Sequence, residues 1–269
     1  MRLLSIREVQ ASLLELMKKV HAFMAEHQLN YYLLGGSALG AVRHNGFIPW
    51  DDDIDIGMFR EDYERFLEIC DDFSSDYEVV NFQRRENCNF VLTRIYINNT
   101  YIADPSVENT KLDKRLYFDI FPLDNVPDNK IELDKFEKQV LSKKKLTYYI
   151  DEHKYGNNNI KNIIKKFTAL VLNPFRGRIL VSYDKLLKKY RNCETQRICS
   201  LCSQYSFAKQ VMLKSVYGKP TLHKFEEVEL YIPENIDSYL TTLFGEDYMQ
   251  IPPENKRRKG FDIYKIGED

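Results

Sequence analysis

The chain of 269 residues is 43% apolar and 29% charged, a composition that excludes an intrinsically disordered protein. Its 39 Lys and Arg nearly balance its 40 Asp and Glu, which argues against a protein that coats nucleic acid. No apolar run reaches the roughly 18 residues that span a bilayer, and the first residues lack the apolar core of a signal peptide. The five scattered cysteines favour reduced thiols, so we expect a cytoplasmic protein.

Capping and hydrophobic spacing predict the elements of the first 73 residues. Ser5 and Glu8 form a capping box, and apolar residues at helical spacing follow to about His27. A short buried strand then runs into a Gly-Gly-Ser sequence, whose serine, Ser37, is predicted to cap a helix ending at Gly46. The elements predicted after the first helix are strand 31–34, helix 37–46, strand 54–58 and helix 62–73.

Apolar runs predict a mixed sheet in the next part of the chain. Asn98-Asn99 has the composition of a hairpin turn, and Pro122 is predicted to end the last strand. The following region, 128–205, is predicted to be mainly helical, and 14 Lys and Arg face three acids between Lys138 and Arg191, a net charge of +11. The predicted strands are 77–82, 91–97, 100–103 and 117–121. Together the elements indicate an α+β fold in which helices flank a mixed sheet.

The acidic run at residues 51–55 is the most informative stretch of the sequence. Alternation with isoleucine places Asp53 and Asp55 on one face of a strand, while Ile54 points into the core. Two carboxylates about 7 Å apart repel each other unless a cation lies between them, and oxygen ligands favour Mg²⁺. Asp119 is a lone carboxylate on an otherwise apolar strand, so we expect it to share that metal.

Two other interpretations of the acidic run stay open at this point. An acidic run is often a solvated turn, although the alternation with isoleucine argues against that for the later residues. The 1, 3, 5 spacing of a calcium loop is also present, but Ile56 stands where such a loop needs glycine and Asp62 where it needs glutamate. Asp119 alone has the further alternative of a capping or salt-bridged residue.

A second feature upstream suits a phosphate group. Gly35, Gly36 and Ser37 come between a strand and a helix, where free backbone N–H groups at the helix N-terminus can bind an anion. Arg43 follows in the same segment and is predicted to pair with phosphate oxygens, with a structural salt bridge as the alternative. The spacing therefore places a predicted phosphate site beside a predicted metal site.

These motifs together resemble the LicD family of phosphotransferases within the nucleotidyltransferase superfamily. The resemblance is carried by the run from Leu34 to Gly57, LGGSALGAVRHNGFIPWDDDIDIG, and by the shorter pieces FDIFPLD and FGEDYMQIPP. It covers roughly residues 31–62, 117–127 and 214–260. The gap between Gly-Gly-Ser and Asp53 is longer than in most nucleotidyltransferases, so substrate placement in that superfamily need not transfer.

The resemblance implies a reaction and an organisation of the chain. The expected reaction is transfer of phosphocholine or a related substituted phosphate from a CDP-linked donor such as CDP-choline. The acceptor is expected to be a hydroxyl of a cell-surface glycan or teichoic acid precursor. A precursor linked to a lipid carrier is one form that this acceptor could take. The expected parts are a nucleotidyltransferase-like core at 1–127, a basic helical region at 128–205 and a C-terminal region at 206–269 that completes the site.

The same resemblance assigns roles to the candidate site residues. Asp53, Asp55 and Asp119 are expected to be catalytic, holding one or two Mg²⁺ ions that bridge the donor phosphates. Trp50 abuts the acidic run and is the best candidate for an aromatic cage around the quaternary ammonium of choline, with packing in the core as the alternative. Other functions stay open: a nucleotidyltransferase that moves NMP from an NTP to a small molecule, and a non-catalytic binding or scaffold protein.

Residues 161–191 alternate apolar and basic side chains. This pattern fits a helical hairpin packed on the core, and it also fits an interfacial helix on anionic lipid, which suits a lipid-linked acceptor. No RNA-recognition motif accompanies the charge, so nucleic acid is not an expected partner. An interfacial helix of this kind would place the protein at the inner face of the membrane.

Overall fold

The structure is a computed structural model that describes residues 1–73, 76–86, 88–104, 113–150, 167–257 and 260–267. Its helices are α1 (Ile6–Glu26), α2 (Gly35–His44), α3 (Arg60–Ile69), α4 (Lys130–Tyr149), α5 (Arg176–Leu187), α6 (Phe207–Gln210), α7 (Lys214–Tyr217) and α8 (Ile236–Phe244). Its strands are β1 (Arg2–Leu3), β2 (Tyr32–Leu33), β3 (Asp55–Phe59), β4 (Tyr77–Val80), β5 (Thr93–Ile97), β6 (Thr100–Ala103), β7 (Tyr117–Val126), β8 (Arg197–Cys199), β9 (Val211–Leu213), β10 (Thr221–Phe225), β11 (Val228–Ile232) and β12 (Asp262–Lys265).

A mixed sheet at the centre confirms the predicted fold class. Within the described ranges it has the strand order β2-β3-β7-β5-β4, and the end of β7 pairs with β8, which pairs with β9. The β3 and β7 strands are parallel, whereas their other neighbours run antiparallel. A second sheet joins β1, β12 and β6, and β10 and β11 form a separate hairpin. Strands from near the two ends of the described chain, β1 and β12, are therefore paired side by side.

Two apolar clusters hold the sheet between helices. The main core packs the buried stripe of α1 with both faces of β2 and β3, and it includes Tyr31, Phe66 and Tyr239. A second core lies under the basic region, where Phe136 of α4 meets Leu180 of α5 and the end of β7. The basic region is thus built on an apolar interior of its own, continuous with the sheet through β7 and β8. None of the described helices is both long and apolar enough to cross a membrane.

The first helix forms as its capping box predicts. The Ser5 Oγ accepts a hydrogen bond from the Glu8 N–H, and the Glu8 carboxylate accepts one from the Ser5 N–H at 2.8 Å. Apolar side chains at helical spacing from Val9 to Met24 are buried, so sequence and structure agree along the whole helix.

The capping box predicts a pH-dependent contribution of Glu8 to stability. The hydrogen bond from the Ser5 N–H, helped by Arg2, lowers the pKa of Glu8 to about 2 from an ordinary value of 4.5. Because the folded-state pKa is lowered, the contribution is present above pH 4.5 and is lost as the pH falls towards 2. We expect Glu8→Gln to lower the melting temperature at pH 7 and to match the unsubstituted protein near pH 2. An equal difference at both pH values would contradict this, and Glu86→Gln in an exposed loop is the matched control.

Three local predictions are wrong for identifiable reasons. Ser37 does not cap a helix: α2 begins two residues earlier at Gly35, and the Ser37 hydroxyl instead accepts a hydrogen bond from the Asp55 N–H at 2.9 Å. The turn at Asn98-Asn99 forms, with Asn99 at a φ of 58°, but it is not a hairpin, because β6 leaves the central sheet to pair with β12. The strand at Pro122 continues to Val126.

Pro122 fits within β7 because of a change of neighbour. On that side, β5 pairs with residues 117–120 and β8 pairs with residues 124–126. Pro122 lies between these two stretches, where the ladder has no strand that needs an N–H donor. The proline therefore marks the exchange of partner strands and not the end of the strand.

Candidate active site

The two parallel strands place the predicted carboxylates side by side. In the pairing of β3 with β7, Asp55 is the direct partner of Asp119. Both line a cavity of about 380 Å³, together with Asp52 and Asp53 from the segment that leads into β3. Residues from far along the chain complete the wall, including the segment 200–205, Tyr239 and Phe261. The predicted triad is therefore brought to one cavity, although its role as catalytic group and metal ligand set stays a prediction.

Backbone contacts fix the position of Asp55. Its N–H donates to the Ser37 hydroxyl, and its carbonyl accepts from the Leu34 N–H at 2.9 Å. Burial, together with the neighbouring carboxylates of Asp53 and Asp119, raises the pKa of Asp55 well above its ordinary value. A carboxyl held here by the backbone and surrounded by negative charge is suited to share a cation.

Asp119 is held by a residue that sequence reasoning did not select. The Arg94 Nε donates to the Asp119 Oδ1 at 2.9 Å, across the β5–β7 pair. The guanidinium lies over the rings of Phe90 and Tyr117, at 4.5 and 3.9 Å from their centroids. Burial raises the pKa of Asp119, and Arg94 opposes that rise. Arg94 therefore fixes the carboxylate while leaving a positive charge on the cavity wall.

The acidic run itself forms a tight cluster. In the described part of the chain, the group of three acids close enough to share an ion is Asp51, Asp52 and Asp53, with one carboxylate oxygen of each within 4.8 Å of the others. The Asp52 Oδ2 also accepts a hydrogen bond from the Phe261 N–H at 3.1 Å, which ties the cluster to the C-terminal segment. The structure thus adds Asp51 and Asp52 to the set of candidate ligands.

This donor set fits a hard divalent cation. All the side chains are carboxylates, and Asp55 carries the repulsion of at least three of them. A bound Mg²⁺ would relieve that repulsion, which is the condition that a site built from adjacent acids has to meet. The residues present therefore match the ion that the sequence predicts, while its binding stays a prediction.

The Gly-Gly-Ser segment lies beside the acids, and two of its polar groups, the Gly35 N–H and the Ser37 hydroxyl, have partners within the protein. The Gly35 N–H donates to the Tyr239 hydroxyl at 2.9 Å, and Gly35 takes the left-handed φ of 50° that glycine tolerates. A Cβ on Gly36 would lie 2.8 Å from the Asp51 Oδ2, so this backbone faces a carboxylate. Ser37 is buried against Asp55. Among these three, Gly35 reaches the cavity wall, and phosphate binding by the segment stays a prediction.

Arg43 and Trp50 lie outside the residues that line the cavity. The Arg43 Nη1 donates to the carbonyls of Tyr248 and Gln250, so its guanidinium holds the C-terminal segment. One face of the Trp50 ring is covered by the Arg257 guanidinium at 4.3 Å. The structure therefore gives both residues packing contacts, and their binding of phosphate and choline stays a prediction.

The site residues that the sequence analysis missed come from distant parts of the chain. The Tyr239 hydroxyl accepts a hydrogen bond from the Gly35 N–H, which is 204 positions away in the sequence. No local sequence pattern predicts that contact. Arg94 did leave a signal, since a lone arginine inside an apolar strand requires a buried acidic partner. Tyr205 and Phe261 line the cavity from segments with no distinctive motif.

A substitution at Gly36 separates metal binding from folding. Alanine is more favourable than glycine in a helix by up to about 1 kcal/mol. We therefore expect Gly36→Ala to cause no loss of melting temperature. The new Cβ must displace the Asp51 carboxylate, and we expect the apparent affinity for Mg²⁺ to fall about tenfold by titration calorimetry. Gly177→Ala is the matched control, since a Cβ there meets nothing within 4 Å. Unchanged Mg²⁺ affinity in Gly36→Ala would exclude Asp51 from the site.

Comparison with known proteins relates the part of the chain that carries the paired strands β3 and β7 to a family. Residues 28–154 match the family described as LicD/FKTN/FKRP, nucleotidyltransferase domain, so the chain carries a domain of the LicD family. Over 266 residues it is 27% identical to the lipopolysaccharide cholinephosphotransferase LicD of Haemophilus influenzae, covering 96% of each chain.

Two other relatives are more partial. The uncharacterized protein RP689 of Rickettsia prowazekii is 29% identical over 61% of this chain and 66% of its own length. The ribitol 5-phosphate transferase FKRP of Homo sapiens is 56% identical over 34 residues, which are 13% of this chain and 7% of that protein. The similarity to the Haemophilus protein extends beyond the matched domain and therefore includes both the basic region and the C-terminal segment.

Proposed function

We propose that the protein transfers phosphocholine, or a closely related substituted phosphate, from a CDP-linked donor to a hydroxyl of a cell-surface glycan or teichoic acid precursor. Its class follows from the relatives: the chain is a phosphotransferase, similar along almost its whole length to a lipopolysaccharide cholinephosphotransferase. The single observation that carries the proposal is the pairing of Asp55 with Asp119 in a cavity shared with the acidic run.

Such a transfer needs a bound cation and residues that hold its ligands in position, and the cavity offers candidates for both roles. Asp53, Asp55 and Asp119 would hold Mg²⁺, and the ion when bound would offset the negative charge of the donor phosphates. The Ser37 hydroxyl fixes the backbone of Asp55, and Arg94 fixes the Asp119 carboxylate. Positioning of this kind matters because phosphoryl transfer depends on alignment and charge more than on covalent catalysis.

The reaction needs no residue of this chain to form a covalent intermediate. The acceptor hydroxyl oxygen would attack the phosphorus that bears the head group, in line with the leaving group. The new P–O bond would form as the bond from that phosphorus to the bridging oxygen of the donor breaks, so that CMP leaves with the bridging oxygen and the hydroxyl proton passes to water. Arg94 faces the same cavity and would contact the donor's phosphate oxygens without leaving Asp119. The cavity's 380 Å³ is in the range of small-molecule binding sites.

A thermal-shift screen tests the donor class. We expect CDP-choline to raise the melting temperature with Mg²⁺ present and to have much less effect in EDTA, because the acids repel the donor's phosphates without the cation. CDP-glycerol and CDP-ribitol, compared under the same conditions, identify the head group. Equal shifts with and without Mg²⁺ would contradict a bridging metal, and larger shifts with NTPs than with any CDP-linked donor would favour a nucleotidyltransferase instead.

A further inference from the structure

An exposed apolar patch lies on the basic region, far along the chain from the acidic run. Four large apolar side chains within nine residues are largely in solvent: Phe167 is 67% exposed, Leu170 71%, Val171 50% and Phe175 49%. They belong to the helical residues 167–172 and the short 3-10 turn that leads into α5. Exposed apolar patches mark sites of interaction with a protein or a membrane, whereas single exposed apolar residues are ordinary.

The patch is one face of a segment whose other face is well packed. Ala169 is buried, and in α5 the side chains of Ile179, Leu180 and Leu187 enter the second core. The apolar residues of this segment therefore form two sets. One set completes the interior, and the other remains outside it with no described element over it. In the described part of residues 161–191, the packed-hairpin interpretation accounts for the buried face, and the exposed face is not explained by it.

The exposed charges of the segment itself are of one sign. No acidic residue occurs from Phe167 to Tyr183, and the next one, Asp184, is buried and paired with Lys188 at 2.7 Å. Arg178 and Lys185 are exposed and form no ion pair with the described residues. The outward surface of the segment is thus apolar and cationic.

We infer that this face docks on an anionic lipid surface. Phe167, Leu170 and Phe175 would enter the boundary between headgroups and acyl chains, while Arg178 and Lys185 would contact the lipid phosphates. A second copy of this chain is the weaker occupant, because a two-fold contact through the patch would bring the cations of the two copies together. The inference does not depend on the proposed function.

Co-sedimentation with vesicles tests whether the patch docks on anionic lipid. We expect the full chain to bind vesicles of phosphatidylcholine with phosphatidylglycerol at least about tenfold more tightly than phosphatidylcholine alone, and to be released by salt. The variant Phe167→Ser/Leu170→Ser/Phe175→Ser should lose at least about tenfold in binding to the anionic vesicles. Ile131→Ser/Leu222→Ser/Ile251→Ser is the matched control, since those side chains are 65, 48 and 57% exposed, and it should bind within about twofold of the unsubstituted protein.

Charge is tested separately. Arg178→Gln/Lys185→Gln should weaken anionic binding about 10- to 30-fold and flatten its salt dependence, whereas Lys219→Gln/Lys224→Gln should not. The inference is overturned if the full chain does not sediment with anionic vesicles at low salt, or if the control substitutions weaken binding as much as those in the patch. It is also overturned if the chain is a dimer that ignores vesicles and becomes monomeric when the patch is substituted.

Discussion

Asp55→Asn is expected to lower turnover at least about 100-fold, because loss of a direct metal ligand should exceed the 10- to 100-fold cost of losing a residue that supports one. The substitution removes a negative charge but keeps the size of the side chain and the backbone N–H that donates to Ser37. Folding should therefore be preserved.

The same variant is expected to melt at an equal or higher temperature in the absence of metal. In the folded protein Asp55 is desolvated and repelled by neighbouring carboxylates, and asparagine relieves both costs. Asp134→Asn, on the exposed side of α4, is the control and should change neither property. Turnover retained by Asp55→Asn would remove this residue from the mechanism, and a large fall in melting temperature would show that its role is structural.

Arg60→Met is expected to reduce the free energy of unfolding by about 3–5 kcal/mol, because it leaves a buried carboxylate without its partner. Arg60 begins α3 and donates two hydrogen bonds of 2.7 Å to Asp124 of β7, with both side chains at most 5% exposed. Its Nη1 also lies 3.8 Å from the Asp184 carboxylate in α5. The pair therefore connects the sheet that carries the candidate site to the second core.

Controls separate this buried pair from ordinary surface charge. Lys130→Met removes an exposed ion pair with Asp134 and should cost no more than about 0.5 kcal/mol in chemical denaturation. Arg60→Met/Asp124→Leu should recover much of the stability, since it removes both buried charges. Burial already raises the pKa of Asp124 against the effect of Arg60, so the loss in Arg60→Met should be smaller at pH 5 than at pH 8. A loss no larger than that of Lys130→Met would contradict the interpretation.

The sequence predicted the local parts of the fold well because their causes are local. The capping box at Ser5 and the alternation of acids with isoleucine at residues 53–56 depend on neighbouring residues, and both elements form close to where they were expected. The β7 strand was predicted short because the proline rule assumes a continuous neighbour, and here the neighbour changes at Pro122. The separation of β6 from β5 depends on β12, more than 150 residues later, and no turn motif contains that information.

In the candidate site, too, the residues found from the sequence are those with local causes, and the residues missed depend on tertiary contacts. The acids were found because carboxylates on apolar strands are costly and therefore conspicuous. The Tyr239 hydroxyl on the Gly35 amide and the Arg94 guanidinium on Asp119 are tertiary contacts, and they determine which groups remain available to a ligand. Arg43 and Trp50 were chosen by their position in the motif, and their contacts with residues 248–257 are visible only once the chain is folded.

The identity of the leaving group tests the central claim most directly. The purified protein, incubated with Mg²⁺, CDP-choline and a hydroxyl-bearing glycan acceptor, is followed by phosphorus NMR and chromatography of the nucleotides. We expect CMP to accumulate in step with a new phosphodiester on the acceptor, and neither product to form in EDTA or with Asp55→Asn. Release of pyrophosphate from an NTP with transfer of NMP to the acceptor, and no CMP from any CDP-linked donor, would contradict the claim.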